Sequence, residues 1–182
     1  MTKSELNEII AADLSRYSKR KYSLGLFIRY FYMEIIPGLK YTIIFRYCQY
    51  YRKRNRFVFY FFFLWLRRLK YKYGFDISYR TIIGKGLYIG HFGGIVIHGD
   101  AEIGEYCNLS QGMTIGVLVR GNKVGIPKMG DRVFIGPGAV ILGGIIIGND
   151  VLIGANAIVT FDVADRSVVA APLATVISER GS

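Results

Sequence analysis

An aliphatic side chain, once a methionine, returns every six residues through the C-terminal half of this chain. The series runs Ile83, Ile89, Ile97, Ile103, Leu109, Ile115, Met129, Ile135, Ile141, Ile147, Ile153 and Val159. Glycine follows the apolar residue at 84, 90, 104, 116, 130, 136, 148 and 154. Two residues before it stands a small or apolar side chain: Leu87, Ile95, Ala101, Cys107, Met113, Val133, Ala139, Ile145, Val151 and Ala157, with Thr81 and Pro127 as weaker members. Residues two apart on an extended chain share a face. Each hexapeptide therefore supplies a short strand with two inward side chains, and the small residue after it permits a sharp turn. Three such units close one triangular coil, and stacked coils bury a continuous apolar column. An amphipathic helix would need a period of 3.6, which the segment lacks. The fold class expected is mainly β: a parallel β-helix of hexapeptide repeats.

The period slips twice. Eight residues instead of six separate Ile89 from Ile97, around His91-Phe92-Gly93-Gly94. Fourteen residues separate Ile115 from Met129, where two periods would take twelve, and Val117–Ile126 breaks the pattern. Insertions in a solenoid emerge as loops on one face, often the binding face.

The first 75 residues have different physics. They hold sixteen Lys/Arg against four Asp/Glu, and twenty of the twenty-six Tyr and Phe. Thr2-Lys3-Ser4-Glu5 reads as a capping box, with Leu6, Ile9, Ile10, Leu14 and Tyr17 at helical spacing. Pro37-Gly38 divides the following aromatic stretch into two helical pieces. The uncharged apolar run Phe57–Leu66 has ten residues, and a spanning helix needs roughly 20. Flanked by Arg and Lys, it suits a helix lying in a membrane interface; a helical cap that packs a trimer and a solvated basic face are the other readings. No nucleic-acid recognition motif is present. The N-terminus lacks the apolar stretch of a secretory signal. Cys48 and Cys107 have neither CxxC nor metal-ligand spacing, so they read as reduced thiols of a cytosolic protein with no metal site. The expected organisation is a basic-aromatic helical extension over 1–75, a β-helix over 76–165 with a loop protruding at 117–127, and a tail over 166–182.

Two stretches, DISYRTIIGKGLYIGHFGGIVIHGDAEIGEYCNLSQGMTIG and IPKMGDRVFIGPGAVILGGIIIGNDVLIGANAIV, resemble the serine acetyltransferase branch of the hexapeptide-repeat acyltransferases. That branch includes relatives that acetylate bacterial surface polysaccharides. The resemblance implies a left-handed coil, a homotrimer, acetyl-CoA held in a groove between neighbouring coils, and a histidine general base. The motif H-x-x-G-I-V places that histidine at His91, and the orienting carboxylate falls on Asp76. A neutral imidazole can take the proton of an attacking hydroxyl, and a carboxylate on its other nitrogen fixes the tautomer. A backbone N–H of Gly93–Gly94 is a candidate for the oxyanion. The family's cofactor contacts fall on Gly116, Val117, Gly136, Pro137 and Ala155. Pro137 has no N–H, so only its carbonyl can serve. The family's terminal G-x-P-A-[KR] element is Ala171-Pro172-Leu173-Ala174 here, which leaves Lys123, Lys128 or Arg180 to meet the nucleotide phosphates. His98 reads as a turn residue.

Serine enzymes carry an Asp before the catalytic histidine and an Arg-His pair in the long loop. Here these places are Gly90, Gly125 and Ile126. The expected acceptor is therefore a sugar hydroxyl of a surface-polysaccharide precursor, free, nucleotide-linked or lipid-linked, at the inner face of the cell membrane, with peripheral contact through residues 20–73. L-serine is the second reading. A non-catalytic CoA-binding scaffold is the third.

Overall fold

Every position of the two repeat sets is buried, Pro127 and Thr81 included. The structure, a computed structural model, describes residues 1–18, 23–33, 36–176 and 178. Its helices are α1 (Lys3–Ser15), α2 (Leu24–Ile28, running into a π-helical turn Arg29–Met33), α3 (Pro37–Tyr51) and α4 (Arg56–Tyr73). Fourteen short strands follow: β1 (Phe75–Ile77), β2 (Ile82–Ile83), β3 (Tyr88–Ile89), β4 (Ile95–Ile97), β5 (Glu102–Ile103), β6 (Asn108–Leu109), β7 (Thr114–Gly116), β8 (Lys128–Met129), β9 (Phe134–Ile135), β10 (Val140–Leu142), β11 (Ile146–Ile147), β12 (Leu152–Ile153), β13 (Ile158–Val159) and β14 (Val168–Val169).

The strands form three parallel sheets, every third strand falling in the same one. Sheet A is β1-β4-β7-β10-β13, sheet B is β2-β5-β8-β11, and sheet C is β3-β6-β9-β12-β14. Successive repeats are in register across coils, as in Ile89↔Leu109↔Ile135↔Ile153. Because β8 follows β7 directly around the coil, the long interval between Ile115 and Met129 is one period with eight added residues, not two periods with two.

The solenoid reaches beyond the repeat read from the sequence at both ends. Phe75 and Ile77 are inward residues of the first strand. Val163 bridges to Ile147, and β14 adds a further strand inside the expected tail. Both extensions hide from a strict period of six. The first begins in a helix cap, and the last coil is shortened, so Val163 and Val169 fall out of phase.

The helices close the N-terminal end of this column. The capping box of α1 forms as read, with Glu5 N–H donating to Thr2 Oγ1 at 3.2 Å and Thr2 N–H to Glu5 Oε2 at 2.8 Å. In the first coil the carbonyls of Ile77, Ile83 and Ile89 have no strand beneath them. Each meets a side-chain donor from the helices: Tyr41 Oη at 2.8 Å, Arg46 Nη1 at 2.6 Å and Tyr17 Oη at 3.2 Å. Arg46 also pairs with the fully buried Asp13, Nε to Oδ2 at 2.9 Å, and Asp13 Oδ1 accepts the Leu87 N–H at 2.9 Å. Much of the aromatic stretch is thus internal packing: Phe62 of α4 stacks on Tyr47 and Tyr51 of α3. An outer stripe of α4, Phe57, Tyr60, Phe61, Leu64 and Tyr71, faces solvent. No helix among the described residues is long and apolar enough to cross a membrane.

Candidate active site

His91 stands at the corner where the chain leaves sheet C for sheet A, between β3 and β4. The two extra residues of the slip form a tight loop with Gly93 at φ 103° and Gly94 at φ 65°, values that favour glycine. The end of α4 anchors it. Gly93 N–H donates to Tyr73 O at 2.9 Å and Ile95 N–H to Gly74 O at 3.1 Å, while Phe92 lies 6.5 Å from the Tyr73 ring. The Gly93 N–H is therefore committed, and of that pair only the Gly94 N–H is left to meet an oxyanion. The His91 side chain is exposed and has no hydrogen-bond partner among the described residues.

Asp76 lies on the outer face of β1, in register with Val96 of β4. It shares the edge with His91 but does not pair with it. Its Oδ1 sits 2.5 Å from Lys70 Nζ of α4. Nothing in the repeat marked Lys70; its role comes from helix and strand meeting at Gly74. His98 lies at the opposite edge of sheet A, and its Nδ1 accepts the Asp100 N–H at 3.2 Å, a turn contact.

The register superposes the corners that follow Ile89, Leu109, Ile135 and Ile153. Gly90-His91, Ser110-Gln111, Gly136-Pro137 and Gly154-Ala155 form one ladder. Gly136, Pro137 and Ala155 thus share an edge with His91. Gly116 and Val117 do not: they begin the loop at the other edge of sheet A, about 10 Å away across a three-residue strand. That loop is a hairpin bridged at Leu118 and Gly125. Its Lys123 pairs with Asp162 at 2.6 Å, which holds the Asp162 carboxyl below its usual range. Lys128 pairs with Glu102 across sheet B at 2.6 Å. Both candidate phosphate cations are therefore engaged by carboxylates within the chain, and Arg180 lies outside the described residues. No group of three His, Cys, Asp or Glu among the described residues could hold a metal.

The ladder offers polar groups suited to a pantetheine arm. Ala155 is exposed, and its N–H has no protein acceptor among the described residues. Gln111 Oε1 is buried without a partner among the described residues, and a buried carbonyl oxygen seldom stays unpaired. The sequence reading missed Gln111, although an amide in an outward corner of the repeat was a visible signal. The Pro137 carbonyl accepts the Asn156 N–H at 2.8 Å, so that contact is already half used.

Residues 126–160 match the family model for the bacterial transferase hexapeptide (six repeats). The chain is a hexapeptide-repeat protein of serine acetyltransferase-like fold. Over 108 residues it is 39% identical to the serine acetyltransferase of Helicobacter pylori strain J99, a match covering 59% of this chain and 63% of that one. It superposes on the Neisseria gonorrhoeae serine acetyltransferase in complex with serine with TM-score 0.72 at 26% identity, covering 91% of this chain and 66% of that one. A serine acetyltransferase in complex with CoA gives TM-score 0.73 at 25% identity, covering 93% and 68%. The solenoid of this hexapeptide-repeat protein is the left-handed β-helix of those structures. The chain spans under two thirds of the curated relatives that it matches.

Proposed function

We propose that the protein transfers an acetyl group from acetyl-CoA to a hydroxyl, with His91 as general base. The observation that carries this is the shared ladder: His91 stands two coils from Gly136-Pro137 and in line with the free Ala155 N–H. The acceptor oxygen attacks the thioester carbonyl carbon while the imidazole takes its proton. The carbon–sulfur bond breaks, and the departing thiolate receives that proton from the imidazolium. Lys70 holds Asp76 Oδ1, so orienting His91 falls to the second oxygen of that carboxylate or takes an exchange of the Lys70 contact. Gly116 and Val117 stand at the far edge of sheet A, which suits a site shared between neighbouring copies of a homotrimer.

Two acceptors have support. The names of the relatives, one of them bound to serine, favour L-serine, and the comparisons weigh toward this reading over the sugar. A sugar hydroxyl is favoured by the missing charges at Gly90, Gly125 and Ile126. Gly125 has φ +137°, and a Cβ there would sit 2.9 Å from the Gly144 backbone, so the hairpin leaves no place for a basic side chain. The outer apolar stripe of α4, with Arg56 and Arg67 beside it, supports contact with an anionic membrane from the cytoplasmic side.

Transfer of labelled acetyl by wild type and His91→Ala tests the proposal, with L-serine in one reaction and a lipid-linked saccharide extract in another. Label entering either acceptor, and lost by at least about a hundredfold in His91→Ala, supports the base and names the acceptor class. Equal transfer by the variant overturns His91 as the base, and transfer to neither acceptor by the wild type favours the scaffold.

A further inference from the structure

Beside the His91 loop, the C-terminal half of α4 and the start of α3 enclose a pocket of about 220 Å³. Three cations converge on it: Lys40 in the first turn of α3, and Arg68 and Lys72 of α4. None of the three is paired with a carboxylate among the described residues. No Asp or Glu occurs in the sequence between Glu34 and Asp76. Arg68 and Lys72 are four apart on one helix face, where like charges repel. Lys72 has some compensation from the helix dipole. Lys40 has none, because it stands near the positive end of α3, whose first turn lacks a side-chain cap. Three cations held together with no carboxylate on them among the described residues fit an anion better than they fit empty solvent.

The floor of the pocket is apolar and aromatic, made by Phe31, Trp65 and Leu69. Such a floor suits the carbon face of a sugar ring. Tyr73 forms the wall toward the loop, and its ring contacts Phe92, the neighbour of His91. The Tyr73 and Phe92 rings, 6.5 Å apart, thus link the pocket wall to the His91 loop. A sugar phosphate sets more bonds between its phosphate and its far hydroxyls than serine sets between carboxylate and hydroxyl, which suits an anion held beyond that wall. The cofactor ladder rises in the other direction, through Gly136 and Ala155.

We propose that Lys40, Arg68 and Lys72 form a phosphate subsite for the acceptor, holding a phosphorylated sugar so that a hydroxyl of it reaches His91. This rests on the sugar-hydroxyl reading of the acceptor. A membrane phospholipid presents the same phosphate chemistry without a sugar acceptor, and the experiment separates the two.

Trp65 is the only tryptophan in the chain and lines the pocket, so its emission reports occupancy without any turnover. Purified full-length protein is titrated with glucose 1-phosphate, with glucose, and with phosphatidylglycerol vesicles at constant ionic strength. Acetyl-transfer kinetics are measured alongside. The expected result is a saturable emission change with glucose 1-phosphate and none with glucose. Arg68→Gln and Lys72→Gln each weaken it about tenfold, with Arg68→Lys recovering part. The same variants raise the acceptor KM by a similar factor and leave kcat and the acetyl-CoA KM unchanged. Far-UV circular dichroism verifies that both variants fold.

A flat titration, or one that the variants do not shift, overturns the subsite. A response to vesicles alone assigns the pocket to a membrane headgroup and overturns it too, as does a rise in the acetyl-CoA KM alone. A flat titration with intact transfer to saccharide sinks this inference while the sugar acceptor stands. Saturable binding with label entering only serine sinks the sugar acceptor, and with it the pocket's role as an acceptor subsite.

Discussion

The solenoid and its helical cap are held together by opposite strategies. In the solenoid each coil repeats the same apolar contacts, and strand N–H groups reach the coil above, as Val96 does to Met113 and Thr114 to Ala139. No one residue is indispensable there, since a lost methyl is shared among similar neighbours. The cap is joined to the column by a few unlike polar contacts, centred on Tyr17, Tyr41 and Arg46. A repeat needs such an end, because its first coil presents carbonyls that nothing in the repeat can satisfy. Damage of equal size should therefore be costlier at the junction than within the coils.

The largest effect is expected from Arg46→Met. It leaves Asp13 buried beside apolar neighbours and takes the donors from Ile83 O and Gly84 O, which Arg46 reaches at 2.6 Å each. Breaking a buried pair from one side costs about 3–5 kcal/mol. Ile141→Val, a methyl lost from the middle of the column, should cost only about 0.5–1.5 kcal/mol. Urea unfolding of both variants compares them directly, and a similar loss in each would erase the distinction between cap and coil.

Gly38→Ala comes next, and its sign is informative. Inside an ordinary helix this change stabilises by about 1 kcal/mol. Here a Cβ on Gly38 would lie 2.2 Å from Ile89 O and 2.8 Å from its Cβ, so helix and solenoid must separate. A loss of about 1–3 kcal/mol is expected. Gly25→Ala in α2, where nothing lies within 4 Å, supplies the control. Any gain in thermal stability for Gly38→Ala would mean that α3 sits more loosely on the column than its contacts imply.

The same contrast governs what could be read from the sequence. The coils were legible because each inward position obeys one rule, twelve times over. The corner ladder followed from the register, so His91, Gly136 and Ala155 could be expected on one edge. The ends were not legible. Phe75 follows a helix cap, and Val163 belongs to a shortened coil, so both lie outside the period. The carbonyl caps also escaped, because Tyr41 and Arg46 looked like members of an aromatic, basic helix face. Their partners, Ile77 and Ile83, are 36 and 37 residues away. The expected pairing of Asp76 with His91 ignored Lys70 for the same reason: it becomes a neighbour only once α4 meets β1.

Alkaline pH should separate the two regions by a smaller margin. Burial pushes the Cys48 thiol up to about 12 and the Cys107 thiol up to about 11; it also raises the phenols of Tyr17 and Tyr41. A thiol titrates near 8.5 in an unfolded chain. Its contribution to stability is whole below that pH and declines as pH rises through the folded value. The slope is at most about 1.4 kcal/mol per pH unit for each thiol. Three of these four groups lie in the helices or at the junction, so the cap should loosen first. Unfolding at pH 9, 10 and 11 followed by Trp65 emission should then lead unfolding followed by far-UV circular dichroism, most clearly at pH 11, where unfolded phenols also ionise. Coincident transitions at pH 11 would show cap and coils melting as one unit.

The smallest expected effect concerns the place where the solenoid departs from its own rule. Gln111 buries a carbonyl oxygen with no partner on the ladder between His91 and Pro137, and a coil selected only for stability would carry an apolar side chain there. Gln111→Met keeps the volume and removes the orphan, so the free protein should gain up to about 1 kcal/mol. If that oxygen waits for an N–H of the pantetheine arm, the acetyl-CoA KM should rise by about tenfold, the worth of one hydrogen bond, with the acceptor KM unchanged. Unfolding and transfer kinetics on the one variant decide it. A loss of stability with unaltered kinetics would make Gln111 part of the packing, and the exception would fall back under the rule that governs the other coils.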